Sequence, residues 1–188
     1  MNKYFVIASL LLLTLLNPSI KSQSLKLGFR VEPGILFSQQ NNESSTSFSP
    51  YGLYLTTLFT PIDWLSLEIR PGFFLAGEDY SGSEIGAFIR LNILATNYYF
   101  TTGLNNHFNS GGNDHNSGGS YKKEMLYKGI GVGYQKDSKF GIDLIYYWTN
   151  NNVYAYSIDN YSHPNSRIYY KQMTGILKLG FSLSWELL

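Results

Sequence analysis

Residues 175–185, G-I-L-K-L-G-F-S-L-S-W, decide the fold of this chain of 188 residues. Side chains of a β-strand point alternately to its two faces, so a period of two separates the residues of this stretch into two sets. One face is apolar, and the other, Ile176 apart, is polar or small. The apolar face comprises Gly175, Leu177, Leu179, Phe181, Leu183 and Trp185, and the opposite face comprises Ile176, Lys178, Gly180, Ser182 and Ser184.

The same alternation recurs upstream between polar segments and turns, which is typical of an all-β chain. Polar segments at 38–49, 105–120 and 150–166 have no apolar periodicity, and we expect them to be exposed loops. Lys128 falls on the apolar face of its strand, so it either reaches an interface or marks a bulge that shifts the register. The predicted strands lie near residues 25–35, 51–59, 64–74, 84–93, 97–104, 125–135, 140–148 and 175–185.

Composition limits the possible classes of protein. A hydrophobic content of 44% with 14% charged residues indicates one folded domain rather than a disordered tail. The 16 tyrosines, 12 phenylalanines and 18 glycines are typical of all-β proteins. The formal net charge is only +1, so no basic field is present to bind nucleic acid. Cysteine is absent, which excludes disulfides, thiolate metal sites and a cysteine nucleophile.

The N-terminus has the features of an export signal. Lys3 precedes a short apolar run, residues 4–16, and Asn17, Pro18 and Ser19 follow. This run is too short for a membrane-spanning helix, which needs about 20 apolar residues. We therefore expect residues 1–22 to be a signal peptide cleaved after Ser22, and residues 23–188 to form the mature domain.

The last strand resembles the C-terminal assembly signal of bacterial outer-membrane β-barrels. That signal begins with a polar residue and has a glycine two positions later. Spaced hydrophobic residues follow, and an aromatic residue ends it. The corresponding residues in this chain are Lys178, Gly180, Leu183 and Trp185. Residues 24–185 as a whole resemble the small OmpA/OmpX-type barrels and the porin-like families of outer-membrane barrel domains. The resemblance implies an eight-stranded antiparallel up-and-down transmembrane barrel in the cell outer membrane of a Gram-negative bacterium. It also implies lipid and the barrel-assembly machinery as partners, and we expect a monomer.

Charged residues indicate which face of the sheet is the inside. A charge on the lipid face near the membrane midplane costs about 2 to 4 kcal/mol, whereas charges of both signs can pair inside a narrow barrel. The strand charges fall opposite the aliphatic residues, so the aliphatic face is predicted to meet lipid. The predicted lumen charges are Arg30, Glu32, Glu68, Arg70, Glu84, Arg90, Asp143 and Lys178.

We find no strong signal for catalysis, a metal or a cofactor. The three histidines, His107, His115 and His163, fall in predicted loops without a repeated ligand spacing, although Asp114 lies beside His115. Serine–histidine pairs could supply the catalytic residues of a lipid A-modifying enzyme. For each pair we favour the interpretation that these are ordinary solvated loop residues. The pairs are Ser110 with His107, and Ser162 with His163 and Asp159.

The expected function is a structural or surface-contact role, adhesion-like, through the long loops of a plugged or narrow barrel. Tyr154, Tyr156 and Tyr161 in the last loop are candidates for contact with a surface glycan or protein. Three alternatives stay open: a narrow porin-like channel, a lipid A-modifying enzyme, and a secreted lipocalin-like barrel. A lipocalin-like barrel would reverse the inside and outside and bind a small apolar ligand.

Overall fold

The computed structural model describes residues 23–114, 118–159 and 167–187. Thirteen strands of these residues form one antiparallel sheet, and eight of them close into a ring. The predicted signal peptide lies outside the described residues. The ring strands are β1 (Ser24–Val31), β4 (Tyr51–Ile62), β5 (Leu65–Ala76), β6 (Tyr80–Asn92), β7 (Tyr98–Asn109), β10 (Lys123–Gln135), β11 (Phe140–Trp148) and β13 (Arg167–Glu186).

Pairing between the first and last strands closes the ring. In the β1–β13 pair, Leu27 lies opposite Trp185 and Phe29 opposite Leu183. A row of directly paired residues that starts at Leu25 passes through all eight strands and returns at Ile35, ten residues further along the chain. For eight strands this stagger corresponds to a strand tilt of about 40°, within the usual range of closed barrels.

The wall of the barrel is apolar outside and polar inside. Phe29 is 60% exposed and Leu126 is 53% exposed, whereas their neighbours along the strands point inward and are buried. An apolar outer wall is the opposite of a lipocalin-like barrel, which hides its apolar face inside. The arrangement is that of a transmembrane β-barrel. Separately, no helix among the described residues is long and apolar enough to cross a membrane.

The two ends of the barrel differ. The turn end carries both ends of the described chain and three short connections, and exposed aromatic residues surround it. In its last turn the Asp137 carboxylate accepts hydrogen bonds from the backbone N–H groups of Phe140 and Lys139, both at 2.8 Å. These bonds lower the pKa of Asp137. These exposed aromatic residues include Trp64, Tyr98, Phe140 and Trp185.

The opposite end of the barrel is the loop end, where the sequence predicts only exposed loops. The structure forms strands there as well. Five further strands lie beyond the ring: β2 (Gly34–Gln40), β3 (Glu43–Ser49), β8 (Gly112–Asp114), β9 (Gly118–Ser120) and β12 (Val153–Asp159). With the outer part of β13 they continue the sheet in the order β3-β2-β13-β12-β9-β8. The loop prediction was wrong for most of 38–49 and for parts of 105–120 and 150–166. We call this part of the sheet the loop-end extension.

The first hairpin of the extension shows why the prediction failed. β2 and β3 pair over their whole length around Asn41 and Asn42, which have φ angles of 50° and 65°. Asparagine tolerates this left-handed conformation, and two such residues form the turn of a tight hairpin. Because β3 is exposed on both faces up to Phe48, its sequence shows no apolar alternation that could reveal a strand.

Lys128 faces outward without any shift in register. β10 pairs continuously with both neighbours, and Lys128 lies directly opposite Leu104 on one side and Trp148 on the other. The bulge considered for this strand is therefore absent from its described pairing. The lysine stands on the outer wall near the loop end of the ring.

We predict that Gly180→Ala destabilises the barrel. A Cβ at this position would collide with the guanidinium of Arg30 and crowd the Asp143 carboxylate. The methyl group would separate this buried ion pair, and we expect the free energy of unfolding to fall by about 3 kcal/mol. Urea unfolding in lipid vesicles, followed by heat-dependent gel mobility, measures the change.

Gly112→Ala is the matched control, since a Cβ there meets only ordinary contacts at 3.7 Å and beyond. The explanation fails if both alanine variants are as stable as the wild type.

Candidate functional site

The structure places all eight predicted lumen charges inside the barrel, where each is at most 4% exposed. Arg30 lies near the centre of the group. Its Nη1 donates to Asp143 Oδ2 at 2.9 Å, its Nη2 donates to Asp143 Oδ1, and its Nε donates to Glu32 Oε1. Tyr99 also donates to Asp143 Oδ2, at 2.8 Å. This bidentate pair joins β1 to β11 across the interior.

A second set of ion pairs continues toward the turn end. Arg70 Nη1 lies 3.2 Å from Glu32 Oε1, and its Nη2 lies 2.7 Å from Glu68 Oε2. Arg90 Nε donates to the same Glu68 oxygen at 2.6 Å. The guanidinium of Arg70 also covers the ring of Phe88, 4.2 Å from its centroid. Glu68 thus joins two arginines from neighbouring strands.

A third set lies toward the loop end. Lys178 Nζ donates to Glu84 Oε2 at 2.6 Å and to the hydroxyl of Tyr54 at 2.8 Å. The same carboxylate oxygen accepts from Tyr54 at 2.6 Å and from Asn105 Nδ2 at 2.8 Å. A longer contact of 3.8 Å from Lys178 to Glu32 links this set to the others. Lys178, which the resemblance assigns to the assembly signal, therefore also holds a buried ion pair.

His107 belongs to the interior network, although the sequence analysis placed it in a solvated loop. β7 extends to Asn109, so His107 points inward, where it is fully buried and stacks on Tyr80 at 4.1 Å. Its Nδ1 lies 3.0 Å from Glu84 Oε1, and its Nε2 lies 3.4 Å from Asn109 Oδ1. The loop prediction for His107 was wrong because Asn105, His107 and Asn109 are polar residues on an inward face, which resembles a polar loop in sequence.

Apolar and aromatic side chains close the interior toward the loop end. The hydroxyl of Tyr80 donates to that of Tyr127 at 2.9 Å, and Tyr80 packs edge-on against Phe74 and Tyr154. Together with the ion pairs they lie between a cavity of about 510 Å³ at the turn end and one of about 440 Å³ at the loop end. The buried cluster consists of Leu36, Phe74, Tyr80, Phe88, Met125, Tyr127, Ile145, Tyr147, Tyr154, Ala155, Met173 and Ile176.

The candidate catalytic residues are not brought together where the structure describes them. His107 contacts Glu84, Asn109 and Tyr80 inside the barrel, whereas Ser110 is exposed. Ser162, His163 and His115 lie outside the described residues, as does Tyr161. Asp114 lies in β8 and Asp159 ends β12. Within the described ranges, no group of three or more histidine, aspartate or glutamate side chains is placed to hold a metal ion.

The loop-end extension carries an exposed aromatic and aliphatic surface, which we call the tyrosine patch. Tyr156 lies directly opposite Tyr170, and the next outward pair on the same face is Ile158 with Ile168. Tyr121 packs against Tyr156 with the ring centroids 5.3 Å apart. The patch consists of Tyr121, Tyr156, Ile158, Ile168 and Tyr170.

Three members of the patch are exposed and two are half-buried. Tyr170 is 49% exposed and Ile168 is 51% exposed, whereas Tyr156 and Ile158 are half-buried. Partial burial and the neighbouring Tyr170 and Tyr156 raise the pKa of the Tyr121 phenol. Of the loop tyrosines singled out in the sequence, Tyr156 is in the patch, whereas Tyr154 turns inward and is buried.

We predict strong coupling between Glu84 and Lys178. Glu84→Gln or Lys178→Met leaves one buried charge without its partner, so each substitution should lower the free energy of unfolding by about 3 kcal/mol. The double variant removes both charges, and its loss should be at least about 2 kcal/mol smaller than the two single losses combined. Urea unfolding in lipid vesicles, followed by tryptophan fluorescence, supplies the four values.

Lys171→Gln is the control for this cycle, because Lys171 pairs with Asp79 at the partly exposed loop end. Its loss should stay below about 1 kcal/mol. Additive losses for Glu84 and Lys178 would contradict the predicted coupling.

Neither a protein-family model nor a curated protein sequence matches the chain. Similar solved structures include OprG of Pseudomonas aeruginosa, which is 10% identical over 88% of this chain and 97% of that chain, with a TM-score of 0.49. Neisserial surface protein A is 14% identical over 84% and 96%, with a TM-score of 0.47. A major outer membrane protein from Thermus thermophilus is 13% identical over 86% and 99%, also with a TM-score of 0.47.

OprG and the Thermus thermophilus protein are outer-membrane proteins. Membrane insertion of this chain is inferred from its own apolar wall and charged interior.

Proposed function

We propose that the protein is an integral outer-membrane barrel that serves as a rigid anchor and contacts a partner at the cell surface through the tyrosine patch. The observation that carries the proposal is the paired loop-end extension, on which Tyr121, Ile168 and Tyr170 are exposed beside the half-buried Tyr156 and Ile158. Large exposed apolar side chains on a soluble surface mark interaction sites, and tyrosine is enriched at the centres of protein interfaces.

The patch stands well clear of the membrane-embedded wall. Leu177 pairs with Tyr146 on the outer wall of the ring. Tyr170 precedes Leu177 by seven residues in the same strand and lies toward the loop end. With the tilt of this barrel, that length of strand raises Tyr170 by about 17 Å. The tyrosine patch is therefore positioned to meet a partner outside the bilayer.

A protein partner fits the patch better than a glycan. Ile158 and Ile168 add aliphatic surface beside the three tyrosines, and aliphatic surface is matched by apolar side chains rather than by sugar hydroxyls. Strand pairing holds four of the patch residues in the sheet, and the backbone N–H of Tyr121 donates to the carbonyl of Tyr154 at 2.8 Å, so little conformational entropy is lost when a partner binds.

The filled interior supports the anchor role over the channel. Eight strands leave an interior just wide enough for side chains, and here ion pairs and aromatic rings occupy it. A narrow channel would have to pass through the contacts around Arg30 and Lys178. We favour the surface-contact function for this reason.

We predict that the double variant Tyr156→Ser and Tyr170→Ser loses surface binding. Cells expressing the wild-type chain should attach to wells coated with laminin, collagen or mucin more than vector-only cells do, on at least one coating. Loss of two interface tyrosines should lower this attachment about tenfold, which corresponds to about 1.4 kcal/mol. Counting the attached cells at matched surface expression measures the effect.

Thr46→Ala, on the exposed strand β3, is the control and should attach like the wild type. Equal attachment of wild-type and vector-only cells on every coating would refute the adhesive role. Full attachment of the double variant would show that the tyrosine patch does not contribute to adhesion.

A further inference from the structure

Lys128 is a cation on a wall that is otherwise apolar at its level. The outward residues next along β10 toward the turn end are Ile130 and Val132, both exposed, and the directly paired neighbours are Leu104 and Trp148. A lysine on the lipid face costs about 2 to 4 kcal/mol at the midplane but only about 0 to 1 kcal/mol near an interface. The position of Lys128 is therefore tolerable only if its ammonium group reaches the headgroup region.

Trp148 and Tyr146 indicate that Lys128 stands at that level. Their rings stack on the outer wall of β11 with centroids 6.2 Å apart, and Trp148 is the cross-strand partner of Lys128. Amphipathic aromatic side chains favour the membrane interface, and a lysine beside them can extend its stem along the apolar wall toward water.

A groove of about 480 Å³ on the outer wall surrounds the lysine. Its polar lining includes the amides of Asn106, Asn150 and Asn151, and Trp148 supplies an indole. Asn151 is held by Lys123 at 2.6 Å and by the backbone carbonyl of Glu124 at 3.4 Å. The groove thus combines one cation with an aromatic surface and amide groups.

Glu124 also lines this groove, but it lies four residues along the strand from Lys128. That spacing separates their Cα atoms by about 13 Å. Lys123, another nearby cation, donates to Asn151 and to the backbone carbonyl of Val153, both at 2.6 Å. Lys128 is the cation that faces the lipid-side part of the groove.

We propose that this groove binds the phosphorylated sugar headgroup of a lipid in the leaflet at the loop end. Lys128 pairs with the phosphate, Asn106 and Asn150 hydrogen-bond to sugar hydroxyl or amide groups, and Trp148 packs on the sugar ring and the first acyl carbons. The amides favour a saccharolipid over a glycerophospholipid, whose phosphate needs only the cation. The orientation of this leaflet rests on the proposed location in the outer membrane.

Native mass spectrometry of the purified full chain in detergent tests the proposal, with added bisphosphorylated lipid A as the probe. The wild type should retain the lipid, and Lys128→Gln should bind it about five- to tenfold more weakly, equivalent to about 1 to 1.4 kcal/mol. Lys128→Arg should restore binding to within about twofold, because arginine also pairs with phosphate. Dephosphorylated lipid A should bind the wild type as weakly as lipid A binds Lys128→Gln.

Lys136→Gln is the matched control, since it removes one cation from the turn end of the outer wall. It should bind lipid A like the wild type. Unchanged affinity of Lys128→Gln, or an equal loss in Lys136→Gln, would overturn the site. Phosphatidylglycerol binding as tightly as lipid A would overturn its sugar specificity. The assay contains no surface partner, so its outcome is separate from that of the adhesion experiment.

Discussion

A charge in the middle of this barrel has little water to solvate it, so it depends on an opposite charge within hydrogen-bond distance. The eight lumen charges meet this constraint as four basic and four acidic side chains joined by short contacts. The bidentate pair of Arg30 and Asp143 joins β1 to β11. Gly180 on β13, between those two strands in the ring, leaves the space that the guanidinium occupies.

The same constraint relates the two faces of the wall. Side chains alternate along each strand, so a residue that places a charge inside also fixes its neighbours on the lipid side. Around Asp143 the outward neighbours are Ile142 and Leu144, and around Lys178 they are Leu177 and Leu179. A slip of one residue would expose the charges to lipid and bury the leucines. The interior network and the apolar wall therefore enforce one register.

Beyond the ring the alternation of apolar and charged residues is no longer required, because both faces of the sheet meet water or the loop-end cavity. Backbone pairing continues there without a lipid-facing wall, and it holds Tyr156 and Tyr170 side by side in the sheet. Lys128 stands at the border between these two regimes. The anchor role, the surface contact and the lipid site that we propose thus belong to three successive heights of one barrel.

The ring could be predicted from the sequence because its strands separate apolar from polar residues with a period of two. The antiparallel up-and-down sheet is confirmed, and its ring has eight strands, whereas the whole sheet has thirteen. The loop-end extension could not be predicted in this way, because β3 is polar on both faces. His107 was missed for a related reason: an inward face of asparagine and histidine has the composition of a loop, and only its position opposite Glu84 reveals a buried site.

The orientation of the wall toward lipid is the central claim, and single-cysteine spin labelling in lipid vesicles tests it most directly. The chain has no cysteine, so Leu144→Cys and Ile89→Cys can each carry one label on the outer wall, with Ser138→Cys at the turn end for comparison. Labels at 144 and 89 should collide with oxygen more than with a water-soluble nickel chelate, and the label at 138 should show the reverse. Preferential collision of the 144 and 89 labels with the nickel chelate would contradict the account and place the apolar wall in water.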